Sequence, residues 1–170
     1  MPTKTRALAR SSLAAAAGVA ALYLGSVLPG IKLSILFLAA LGVVFVRLSC
    51  PGSWAWGCFA VTAALALLLL PDKTLALLYA LLPGYYPIVK LRLERRKGRG
   101  IRWGLKLGVF HVAALAVWLL ARSYAPLSAL LTGMSLWLIW AGALAAFLVY
   151  DYVLGQIILY YLRNIAGRVR

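Results

Sequence analysis

Apolar residues in this chain do not alternate with polar ones at strand or amphipathic-helix spacing. They run on for whole stretches and are broken by short clusters of Lys, Arg, Pro and Gly. A helix needs about 20 predominantly apolar residues to cross the hydrocarbon core of a bilayer. Six runs meet that need, which predicts an all-α integral membrane fold: a bundle of six transmembrane helices forming a single domain over residues 1–170. The first run spans about Ala7 to Leu28 and is closed by Pro29-Gly30. The second, Leu33 to Leu48, lies between Lys32 and Cys50-Pro51-Gly52, and the third, Trp54 to Leu70, ends at Pro71. The fourth, Thr74 to about Val89, is interrupted by Pro83-Gly84 and Pro87, so it is expected to be short, bent or partly unwound. The fifth covers Trp103 to Leu120. The sixth, from about Leu130 to Leu162, exceeds one span and has no internal proline, which predicts one tilted helix with an extended inner end. The first run also has the flavour of a secretory leader, but five spans follow it and its loss would leave an odd number, so it is read as a retained helix.

Composition sharpens this picture. The chain is 65% hydrophobic and 12% charged, with a mean hydropathy of +0.95, which excludes a soluble enzyme, a disordered tail and a disulfide scaffold. Eighteen Lys and Arg stand against three acids, Asp72, Glu94 and Asp151, for a net charge of +15. In a soluble domain that surplus would suggest nucleic acid; here it falls between apolar runs, where basic residues orient the chain. Threading six spans places fifteen basic residues on one side and three, Lys32, Lys73 and Arg122, on the other. The expectation is a multi-pass protein of the cell membrane with both termini cytoplasmic and no nucleic-acid partner.

Catalytic patterns are missing from the sequence: it has no phosphate-binding Walker sequence, no His/Glu zinc pattern and no nucleophile elbow. It is read as a non-enzyme without cofactor or metal. Cys50 and Cys58 lack metal or redox spacing and are read as reduced thiols. Asp151 is the one acid expected within the hydrocarbon zone, where a carboxylate needs a partner. By helical rise His111 lies at matching depth, so a His111–Asp151 polar pair is expected, as a structural clamp or as a substrate or proton site; Arg47 and Lys106 compete for the same acid. Asp72 and Lys73 open the fourth helix, where Asp72 serves as a cap or as part of a binding site. With Tyr79, Trp118, Arg122, Trp137 and Trp140, and with Tyr124 nearby, they form the candidate outer site for a small organic solute. An interfacial aromatic belt would use the same residue types. The basic run Lys90 to Lys106 sets topology and could also hold anionic lipid headgroups or a cytoplasmic partner, with Glu94 pairing Lys97 or Lys90. On the first helix, Ala14 with Gly18, Ala16 with Ala20 and Ala17 with Ala21 stack small residues four apart, suited either to internal packing or to docking a partner helix.

Six short helices with cytoplasmic termini, the AxxxA spacing of Ala16/Ala20 and Ala17/Ala21, and the basic turn between helices four and five resemble the substrate-binding S components of energy-coupling factor transporters. The stretch Leu69 to Lys90 also resembles uncharacterised bacterial membrane proteins of that shape. The S-component resemblance implies a subunit that captures a vitamin-like micronutrient from outside. A membrane coupling subunit would grip Ala16, Ala17, Ala20 and Ala21, and cytoplasmic ATPases would drive uptake. Few polar groups stand in the outer site for such a ligand. The alternative reading is a membrane interaction or assembly protein that binds lipid or another membrane protein.

Overall fold

A computed structural model describes residues 4–28, 30–94, 98–123 and 135–164. Every regular element among them is a helix: α1 (Lys4–Val27), α2 (Lys32–Ser49), α3 (Gly52–Leu69), α4 (Lys73–Leu81), α5 (Tyr86–Leu93), α6 (Arg99–Ser123) and α7 (Leu136–Asn164). Taken together, α4 and α5 make one stretch, Lys73–Leu93, and six helical stretches are long and apolar enough to cross a membrane. The chain forms two compact units, Met1–Ser123 and Tyr124–Arg170. The expected start of the last span near Leu130 lies outside the described residues.

Prolines set several of the helix ends. Cys50 and Leu70, each preceding a proline, are extended at φ −133°, ψ 164° and φ −72°, ψ 136°, because the proline ring disfavours helical geometry in the residue before it. Leu82, before Pro83, is likewise non-helical. Pro87 behaves differently. It falls in the first turn of α5, where a missing N–H costs nothing, so it helps to start that helix. The fourth span is therefore two short helices joined by a turn, one of the forms that its prolines predict.

In the first unit α1 packs chiefly against α2 and α3. Its buried face is Ala7, Ser11, Ala14, Ala15, Gly18, Leu22 and Gly25, spaced three and four apart, and it is made mostly of small residues. The backbones approach closely: a Cβ on Gly42 of α2 would lie 3.0 Å from the Ala14 carbonyl oxygen, and one on Gly18 would lie 3.2 Å from Thr62 Cγ2 of α3. Where lipid replaces water, helices are held by such packing, since apolar side chains gain nothing by leaving lipid for protein.

Two ends of this unit differ in charge. Lys32 at the start of α2 reaches Asp72 at the start of α4 across 2.6 Å, so the α1–α2 and α3–α4 turns share one end. The opposite end gathers Ala7, Val46, Cys50, Ala55 and Ile88 into one apolar cluster. That places the start of α1, the α2–α3 turn and α5 together, next to the basic residues of α5 and of the first turns of α6.

Candidate functional site

At the end marked by Asp72, the charged side chains bind one another and the backbone. Asp72 caps α4: its Oδ1 accepts the amides of Thr74 at 3.0 Å and Leu75 at 3.4 Å, and its Oδ2 accepts from Lys32 Nζ. Burial pushes the Asp72 carboxyl upward, but the Lys32 hydrogen bond and charge, together with the Leu75 amide and the Thr74 side chain, outweigh it and hold the group below its ordinary value. Lys73 donates to the carbonyls of Leu67 at 2.7 Å and Leu68 at 3.1 Å, closing the last turn of α3, whose carbonyls have no helical partner.

The other residues of the candidate outer site fall in different places. Tyr79 is fully buried, stacked at a tilt on Phe59 with ring centroids 6.3 Å apart. Its hydroxyl makes no hydrogen bond of good geometry among the described residues, while neighbouring Thr62 donates to the Cys58 carbonyl at 2.8 Å. Trp118 and Arg122, one turn apart on α6, are brought together, with the guanidinium 3.8 Å from the centroid of the indole ring. Trp137 and Trp140 stand three apart on α7, Trp137 largely exposed, and Tyr124 lies outside the described residues. His111 is exposed, donates Nδ1–H to the Leu107 carbonyl at 2.8 Å and meets Phe110 edge-on. It belongs to the first unit, whereas Asp151, a buried residue of α7, belongs to the second.

On α1 the expected docking positions and the packing positions separate. Ala14, Ala15 and Gly18 are buried against neighbouring helices; Ala16, Ala17 and Ala20 are exposed and Ala21 is half-buried.

At the basic end one carboxylate meets two buried lysines. Glu94 Oε1 lies 3.5 Å from Lys90 Nζ and 3.3 Å from Lys106 Nζ, with both lysine side chains more than nine-tenths buried. The Lys90 contact is the i, i+4 pair legible in sequence; the Lys106 contact comes from α6 and was not. A cavity of about 130 Å³ opens beside them, lined by Glu94, Arg102, Trp103 and Lys106. Lys106 Nζ sits 5.5 Å from the Trp103 ring, and the Arg92 guanidinium lies 5.8 Å from Trp56. Sequence reading also passed over Gly100, Gly104 and Gly108 on α6, where an added Cβ would meet nothing within 4 Å among the described residues. Their GxxxGxxxG spacing was the signal that could have found this smooth stripe.

No protein-family model, curated protein or solved structure matches the chain.

Proposed function

We propose that the protein is a non-enzymatic, multi-pass membrane subunit that docks onto a partner membrane protein through α1. In the S-component reading the partner is a coupling subunit served by cytoplasmic ATPases, and the cargo is a small organic solute. The observation that carries the docking proposal is the division of α1 into two small-residue faces. Ala14, Ala15 and Gly18 are used within the unit, while Ala16, Ala17 and Ala20 are left exposed. Small residues let a second helix approach closely enough for backbone and side chain to pack where no hydrophobic force drives association. The basic end is read as cytoplasmic, because Lys and Arg concentrate on that side of membrane proteins.

On this reading solute recognition falls to the opposite end of the first unit, with Trp118 and Arg122 as its aromatic and cationic elements. Asp72, Lys32 and Lys73 are engaged with one another and with helix termini. That engagement favours a second reading, an assembly protein whose α1 face holds another membrane protein without solute transport.

The docking face is tested by replacing Ala16 and Ala20 with Trp and isolating the protein from membranes in mild detergent. Loss of a co-purifying membrane partner, with the thermal stability of the isolated chain unchanged, is expected; retention of the partner by the double variant would overturn the proposal. ATPases among the co-purifying chains would select the transport reading, and their absence beside a retained membrane partner the assembly reading. Ala14→Trp provides the contrast. It would strike the α2 backbone near Gly42 and lower stability itself.

A further inference from the structure

Residues 90–106 hold eight basic side chains and a single acid, and the fold turns part of this run into a concave site. Glu94 lies between Lys90 and Lys106 at 3.5 and 3.3 Å. Arg102 and Lys106, one turn apart on α6, line the same cavity with Trp103. Two cations against one carboxylate give the lining a net positive charge. A guanidinium offers paired donors at phosphate spacing and an ammonium acts as a point charge beside it. The volume of about 130 Å³ admits a phosphate group.

The surroundings indicate where that phosphate comes from. Trp103 of the cavity lining is half-exposed, and the flank of α6 next to Arg102 carries exposed Ile101 and Leu105. Indole rings favour the headgroup level of a bilayer, with an apolar body and a polar edge. An apolar flank adjoining a cationic cavity suits a molecule with a phosphate at one end and acyl chain at the other. A peptide recognised through its acidic side chains alone would leave Ile101 and Leu105 uncovered. We propose that the cavity lined by Glu94, Arg102, Trp103 and Lys106 binds the headgroup phosphate of an anionic phospholipid, whose acyl chain lies along Ile101 and Leu105. Glu94 keeps the two lysines in place and disfavours deeper entry of the anion.

This inference rests on membrane insertion but not on the α1 docking proposal. The test is native mass spectrometry of protein extracted from membranes and titrated with phosphatidylglycerol or phosphatidylcholine. Retention of phosphatidylglycerol over phosphatidylcholine is expected in the wild type, and Arg102→Gln should weaken it about fivefold, the share of one basic residue near an anionic surface. Lys106 is buried, so its removal risks the fold; Arg102 is partly exposed, and its substitution tests the site without that risk. Arg6→Gln, an exposed basic position on α1, should leave the preference intact. Equal retention of both lipids, no effect of Arg102→Gln, or an equal effect of Arg6→Gln would overturn the site. Displacement of the lipid by millimolar inorganic phosphate would assign the cavity to a free anion, and displacement by a glutamate-rich peptide to a protein partner; either overturns the lipid assignment. Failure of insertion is distinguishable, since the chain would then be missing from the membrane fraction.

Discussion

Asp72 makes three polar contacts at one helix start, and its two oxygens divide the work: Oδ1 satisfies amides that a helix terminus leaves open, and Oδ2 joins Lys32 from α2. Local capping and a tertiary tie are thus separable by substitution. Asparagine keeps an oxygen for the amides and loses the charge, whereas alanine loses both. Asp72→Ala should cost about 1 kcal/mol, within the usual range for a lost cap. Asp72→Asn should cost less, because a pair with Lys32 half-exposed is worth under about 1 kcal/mol. The sign of the pH dependence follows from the lowered carboxyl. Its folded value lies below the ordinary 3.8, so the stabilisation is complete above 3.8 and is lost as pH falls through the folded value. Thermal unfolding in detergent should show wild type losing its advantage over Asp72→Asn only in that acidic window; a constant difference down to pH 2 would exclude the linkage.

At the scale of the elements, the break between α4 and α5 leaves no room for a side chain at Gly84. Gly84 donates its N–H to the Tyr79 carbonyl at 3.0 Å, and a Cβ there would lie 2.8 Å from that same oxygen and 2.8 Å from the Phe59 ring. Gly84→Ala should therefore destabilise by about 1–3 kcal/mol, as overpacking does. Gly104, in the body of α6 with open space around it, should respond in the opposite direction: Gly104→Ala should be neutral or stabilise by up to about 1 kcal/mol through backbone entropy. Thermal unfolding of the two variants side by side checks both, and equal stabilities would show that the α3–α4 contact at Gly84 tolerates a methyl group. The interruption itself was legible, because Pro83-Gly84 cannot continue a helix. Which α1 alanines face inward was not legible. Residues 14–17 are four consecutive alanines, every one small enough for either face, and the choice is made by where Gly42 and Thr62 allow the neighbouring backbones to come. The Lys90–Glu94 pair could be read from i, i+4 spacing, whereas Lys106 reaches the same carboxylate only because α5 and α6 pack together. Apolar runs carry strong information about where helices lie and little about which residues meet, since in lipid every face of a span is apolar.

For the whole molecule, the sorting of basic residues by side depends on a geometric condition: the first and third turns must lie at one end of the bundle and the second at the other. The first unit meets it, with the Lys32–Asp72 contact tying the first turn to the third and Ala7, Cys50 and Ile88 clustering at the opposite end. Which end faces the cytoplasm follows only from the positive-inside rule, so it is a prediction that can fail on its own. Ile31 in the first turn and Ser53 just past the second are both exposed, and the native Cys50 and Cys58 are buried, so both can be replaced by alanine with modest loss. In that background, a membrane-impermeant maleimide applied to intact cells should label Ile31→Cys and leave Ser53→Cys unlabelled until the membrane is opened. Labelling of Ser53→Cys alone would invert the bundle, exchanging the sides assigned to the solute end and the basic cavity. Labelling of both in intact cells would rule out the six-span threading, because these two positions would then lie on the same side of the membrane despite the span of α2 between them.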